Sequence, residues 1–280
     1  MTKREMENVL AALRHAMEQE EKSGATMEKY LHDAAGFLRF AGERELTKEL
    51  VHAYKAELLA KGYSPRSVNA KLAGVNRLLR QLGREDCRVK NEKVQRQIFC
   101  PEEKELSRRE YERLLQTASR QGRQRLQLLL QTLGGTGIRI GELRYITREA
   151  AARGEALVRS KGKSRTVLLV RELQKQLLAY AKSQGIESGP IFVTRTGKAL
   201  DRSNVWRELK SLCAQARVKP GKVFPHNLRH LFARVYYRMK KDIAKLADIL
   251  GHSSIETTRI YIISSGKEHR RQMELMKLVV

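Results

Sequence analysis

LGHSSIETTRIY, residues 250–261, is the stretch whose reading decides what kind of chain this is. Gly251 suits the residue that ends a helix, because only glycine enters the left-handed region without cost. Ser253 and Glu256 have the spacing of a capping box. They predict a helix over 254–262 that carries Ile255, Thr258, Tyr261 and Ile262. His252 stands between the two helices. Upstream, HNLRH (226–230) predicts a helix starting near His226. Steps of three and four bring His226, Arg229 and His230 to one side of it. Further upstream, TGIRIGEL (136–143) places Glu142 one helical turn after Arg139, with Thr136 or Gly137 expected to open that helix.

Each residue has an ordinary competing explanation. A lone arginine in a basic chain is usually a surface or backbone-binding group. A histidine after a helix usually touches main chain, and Tyr261 alone reads as a packed aromatic. His230, flanked by Leu228 and Leu231, reads as a packed, hydrogen-bonded helix residue. His226 and His230 have the spacing of a zinc pair, but the glutamate of HExxH and a third ligand are missing, so no metal site is expected. GGTGIRIG matches neither glycine-rich phosphate fingerprint. The order of Arg139, His226–Arg229, His252 and Tyr261 is what departs from coincidence.

Composition narrows the partner. The 280 residues hold 56 Lys and Arg against 31 Asp and Glu, a formal net charge of +25. Such a body repels itself unless a polyanion neutralises it. Nucleic acid fits best, since each phosphate contact also releases counterions. The basic residues are spread along the chain and not gathered into one amphipathic anchor, which argues against a membrane surface. No apolar run is long enough to span a bilayer, and MTKREMEN lacks the marks of a signal peptide, so a soluble cytoplasmic protein is expected. Cys87, Cys100 and Cys213 lie far apart and read as reduced structural thiols.

Apolar spacing predicts a fold that is mainly α with a small β-sheet. Residues 1–97 read as a four-helix bundle. Val9, Leu10, Leu13 and Met17 line the first helix, and Thr26 is expected to cap a second with Tyr30, Leu31, Ala34, Phe37 and Leu38. A third runs from Thr47 to Gly62. Ser64-Pro65 then gives a cap with proline at the first helical position, followed by the seam Val68, Leu72, Val75, Leu79 and Leu82. Residues 98–105 read as a linker at the end of a charged stretch that begins at Gly83. A second capping box, Ser107 with Glu110, opens the domain 106–280. Within it, Leu157–Ser160 and Thr166–Val170 flank a Lys161-Gly162-Lys163 turn, and Ile191–Val193 is expected as a third short strand. Helices are predicted at about 203–217, 226–240, 242–250 and 254–262.

Cleaving a phosphodiester without metal requires three things: donors for the non-bridging oxygens, an aligned nucleophile and a proton for the leaving oxygen. Arginine suits the first because its planar fork stays charged and holds two oxygens. In all these motifs the chain resembles the tyrosine recombinase/phage integrase family, with a helical core-binding domain, a linker and a catalytic domain bearing Arg, Lys, His-x-x-Arg, His and Tyr in that order. The resemblance covers nearly the whole chain. It implies Arg139 as the first arginine, His226 and Arg229 as the His-x-x-Arg pair, His252 as the second histidine and Tyr261 as the nucleophile. Lys161 matches the hairpin lysine, with Lys163 as the alternative. Glu142 is expected to orient a neighbour, and Lys163, Arg165, Arg66 and Lys71 to contact DNA. The Ile-Ile-Ser-Ser that follows Tyr261 departs from the Thr-His continuation of many relatives.

The resemblance further implies site-specific cleavage and rejoining of double-stranded DNA through a 3′-phosphotyrosyl bond, with no cofactor. The outcome is integration, excision, inversion or resolution. It implies a clamp around the duplex, a homotetramer on paired sites and a tail (267–280) exchanged between subunits, with DNA-bending accessory proteins and a place at the nucleoid. Two alternatives stand beside it: a type IB topoisomerase-like relaxer and a non-catalytic DNA-binding accessory protein.

Overall fold

The structure is a computed structural model that describes residues 2–94, 102–160, 163–194, 196–262 and 266–278. The chain divides into two compact units, Met1–Arg96 and Gln97–Val280. Among the described residues it is mainly helical, with one two-stranded sheet, and no helix is long and apolar enough to cross a membrane.

The first unit is built from α1 (Lys3–Gln19), α2 (Gly24–Ala41), α3 (Lys48–Ala60) and α4 (Pro65–Gln81). Thr47 and Ser64 cap α3 and α4 with their side-chain oxygens, and Pro65 occupies the first turn of α4. Ser23, not Thr26, caps α2. Its hydroxyl accepts from the Thr26 amide, and Thr26 lies inside the first turn. The core gathers Leu13, Met17, Phe37, Val68, Leu72, Val75 and Leu79, all essentially sealed from solvent. Residues 98–101 of the expected linker lie outside the described residues, and Glu102–Lys104 form a 3-10 turn. Asn227, itself buried, holds the end of that turn by donating to the Lys104 and Lys222 carbonyls.

The second unit begins at α5 (Arg108–Arg120), whose Ser107–Glu110 capping box forms as expected. The apolar run of α6 (Gln124–Thr136) continues helical through Thr136, and Gly137 ends the helix at φ 62°. TGIRIGEL therefore closes one helix and does not open another. Arg139 is extended, and Ile140–Tyr145 form a 3-10 turn. After α7 (Arg148–Arg153), strands β1 (Glu155–Ser160) and β2 (Lys163–Leu168) pair antiparallel, with Val158 opposite Arg165. Ile191–Val193 does not join this sheet. Val193 bridges Ala199 across a tight turn, while Ile191 and Phe192 are drawn into the core. Following α8 (Arg171–Ser183), α9 (Arg202–Ser211) is shorter than the predicted 203–217. The chain coils on as turns that bury Leu212, Cys213 and Ala216.

The last four helices are α10 (Pro225–Lys240), α11 (Ile243–Leu250), α12 (Ile255–Ile262) and α13 (Gly266–Leu275). Gly251 ends α11 at φ 62°, as its position predicts. The Ser254 hydroxyl, not that of Ser253, accepts from the Glu256 amide at the start of α12. Cys87 and Cys213 are buried free thiols, whereas Cys100 lies outside the described residues.

Candidate active site

Proline at the first turn of α10 starts the helix without wasting an amide; that turn carries His226, and Arg229 and His230 follow one turn on. Arg229 is only 1% exposed, an unusual depth for a guanidinium. One nitrogen, Nη1, donates to the Gly137 carbonyl at 2.6 Å. The other, Nη2, donates to the Leu250 carbonyl at 2.6 Å and to His252 Nε2 at 2.8 Å. One side chain thus ties the ends of α6 and α11 to α10. Burial lowers its pKa to about 10, which still leaves a cation at neutral pH.

Arg139 is the more accessible of the two arginines, with 39% of its side chain exposed. Its Nη1 donates to Glu142 Oε1 at 2.9 Å and its Nη2 to the Gly251 carbonyl at 3.1 Å. Glu142 is buried, and its other oxygen accepts from the Arg139 amide and from Arg165 Nη2. Burial would raise the Glu142 pKa, but the Arg139 amide and the two guanidiniums prevail and hold it below the usual carboxylate range.

Tyr261 reaches this cluster from α12 and is 6% exposed. Its ring stacks on that of His230 with centroids 4.1 Å apart and planes 17° from parallel. The His252 and His226 rings lie 5.0 and 5.1 Å away, and the Arg229 guanidinium 5.8 Å from the phenol centroid. A guanidinium only donates, so His252 Nε2 accepts from Arg229 and its proton resides on Nδ1. Nδ1 in turn donates to Thr258 Oγ1 at 2.8 Å. Desolvation first and the nearby arginines second push the His252 pKa down to about 4. Burial, reinforced by His226, pushes that of His230 down to about 3, and His226 is lowered mainly by desolvation. The pocket at neutral pH therefore joins fixed cations to neutral imidazoles.

The structure brings together Arg139, Glu142, His226, Arg229, His252 and Tyr261. Lys161 lies outside the described residues, and only the backbone of Lys163, the first residue of β2, is described. In the first unit Arg66 is exposed, while Lys71 reaches Asp33 Oδ1 at 3.5 Å and lies over the Tyr63 ring. Arg165 turns inward to Glu142 and the Ile249 carbonyl. Three members escaped sequence reasoning: His230 as the platform under Tyr261, Thr258 as the partner of His252, and Arg165 as part of the Glu142 network. The helical spacing of His226 and His230 was the available signal for the first. No group of three or more potential metal ligands occurs among the described residues.

The family model described as the phage integrase family matches residues 104–268. The tyrosine recombinase XerA of Thermococcus kodakarensis is 31% identical over 269 residues, covering 93% of this chain and 92% of the relative. The tyrosine recombinase XerD of Caulobacter vibrioides is 31% identical over 261 residues, covering 85% of each. A crystal structure of XerA recombinase superposes with a TM-score of 0.55 at 27% identity, covering 98% of this chain and 99% of the other. A lambda integrase tetramer bound to a Holliday junction shares the fold at a TM-score of 0.72 and 16% identity, covering 91% of this chain and 76% of the other. With a cationic pocket closed around one phenol and a family match over more than half its length, the chain belongs to the phage integrase family and is a tyrosine-type site-specific DNA recombinase.

Proposed function

We propose that Tyr261 attacks a DNA phosphate and that the other members of the cluster hold that phosphate and move its protons. The observation that carries this reading is the convergence of three imidazoles and the Arg229 guanidinium within 5.8 Å of one phenol ring. A phenol ordinarily ionises near pH ~10, so it needs a base or a cationic field to become a nucleophile. His226, neutral at physiological pH, takes the phenolic proton. The tyrosine oxygen bonds to phosphorus, the bond to the 5′-oxygen breaks, and a lysine of the β1–β2 turn (Lys161, or Lys163 in its place) protonates the leaving oxygen. Arg139, Arg229 and His252 hold the charge on the non-bridging oxygens, and Glu142 keeps Arg139 aligned.

The 3′-phosphotyrosyl bond conserves the energy of the phosphodiester, so a 5′-hydroxyl from a second duplex reverses the step and exchanges strands. Neither ATP nor a metal enters this scheme. The net charge of +25 suits a duplex as substrate, with Arg66 and Lys71 as first-unit candidates for contact. The relatives' complexes include a dimer and a tetramer on DNA. Here the reading is a homotetramer on paired sites, assembled in the cytoplasm at the nucleoid with DNA-bending partners. Met273, Leu275, Met276 and Leu278, 60–76% exposed, support a tail that packs on a neighbouring subunit.

The test is covalent capture. Wild-type protein mixed with sheared genomic duplex DNA of the source organism yields adducts whose attached ends reveal the site. Tyr261→Phe binds the captured duplex with unchanged affinity and forms no adduct. An adduct of wild-type yield in that variant moves the nucleophile to another residue.

A further inference from the structure

We infer that Arg165 is a positioning residue for the recombination reaction: it fastens the C-terminal end of α11 to Glu142, sets where His252 stands, and does not hold DNA. This rests on the reading of His252 as a phosphate ligand. The last carbonyls of a helix have no partner within it. In α11 and its cap, three successive carbonyls are each taken by a different arginine. Arg165 Nη1 donates to Ile249 at 2.8 Å, Arg229 Nη2 to Leu250 at 2.6 Å and Arg139 Nη2 to Gly251 at 3.1 Å. Three cations at the negative end of a helix also offset its dipole. The residue that follows these carbonyls is His252.

Arg139 and Arg229 have places in the proposed chemistry, whereas Arg165 has none. Its second nitrogen, Nη2, donates to Glu142 Oε2 at 2.7 Å, so one carboxylate bridges Arg139 and Arg165. Only 12% of the Arg165 side chain is exposed. Strand parity explains the direction: Arg165 shares a face of β2 with buried Val167, and Leu169 continues that face into the core. Its stem also fills the space above the helix cap. A Cβ at residue 251 would come within 2.2 Å of Arg165 Cδ, so the missing side chain of Gly251 makes room for this arginine as well as permitting the turn. Both terminal nitrogens donate to protein acceptors and Nε is buried without a hydrogen-bond partner, so the group is turned toward the protein and away from solvent.

Two measurements on Arg165→Gln separate positioning from DNA contact. The first is the slope of binding affinity against salt on a duplex of arbitrary sequence. The second is the single-turnover rate of adduct formation on the duplex captured with wild-type protein. The expected result is an unchanged slope with a rate lower by about 100-fold, the usual effect of misplacing a reacting group by an ångström. The His252 imidazole resonances of the free protein shift as well, which a loss of stability alone does not cause. A slope smaller by about one assigns Arg165 to a phosphate and overturns the inference, as does a wild-type rate. If Arg165→Gln does not fold, Arg165→Lys keeps the stem and charge but loses the fork, and wild-type cleavage by it is equally fatal. Failure of wild-type protein to form adducts through Tyr261 would instead remove the underlying reading, whatever Arg165 does.

Discussion

Arg139 and Arg229 carry the same group in different surroundings, and their removal separates catalysis from folding. Arg139 is partly exposed, so Arg139→Ala should lower single-turnover cleavage by about 100- to 1,000-fold, as expected for one lost donor to a developing charge. Its thermal midpoint should stay close to wild type. Arg229→Ala strips the donor from two carbonyls and leaves a sealed void, which costs on the order of 3 kcal/mol. Its midpoint in a denaturant series should fall clearly, together with activity. The imidazoles give a pH dependence with a definite sign. His230 and His252, at about 3 and about 4, and His226, lowered, all bind protons more weakly in the folded chain than an unfolded histidine does. Their contribution to stability is therefore complete above pH ~6.5 and is lost as pH falls from there toward 4 and then 3. Denaturation midpoints measured across that range should decline, and His230→Phe should make the decline shallower. A midpoint independent of pH below 6 would contradict the buried neutral imidazoles.

At the level of elements, two glycines place the site. Gly137 adopts φ 62°, and a Cβ there would lie 2.6 Å from Phe232 Cδ1 and 2.9 Å from Leu250 Cδ2. Gly137→Ala combines left-handed strain with overpacking and should destabilise the second unit by about 3 kcal/mol. Because the Gly137 carbonyl also receives Arg229, cleavage should fall at the same time. The caps Ser64 and Ser107 were legible in the sequence because a cap is settled within four residues. The Arg139–Glu142 pairing was legible for the same reason, and it survived the change from helix to 3-10 turn. The mistaken opening of a helix at Thr136 arose because LGGTG contains both a start and a stop signal, and only the packing of α6 against α10 selects the stop. The stacking of His230 on Tyr261 joins residues 31 positions apart. The inward turn of Arg165 depends on where α11 lies relative to β2, which no local spacing encodes.

For the whole molecule, the exposed apolar end of the chain is the feature that monomeric packing leaves unexplained. Deleting the residues after Gly266 should leave adduct formation at a single site near wild type while lowering the tetramer fraction on paired sites, as read by sedimentation of the DNA complex. A truncated protein that still assembles fully would dispose of tail exchange. The depth of Arg229 bears on how such a protein could lose its trade. A descendant kept only to occupy DNA can discard the phenol with little damage to its architecture. The sealed guanidinium is a keystone joining three segments, so selection for folding alone will retain it after selection for strand exchange has lapsed. In a degenerate lineage, the absent tyrosine would be informative and the surviving arginine would not.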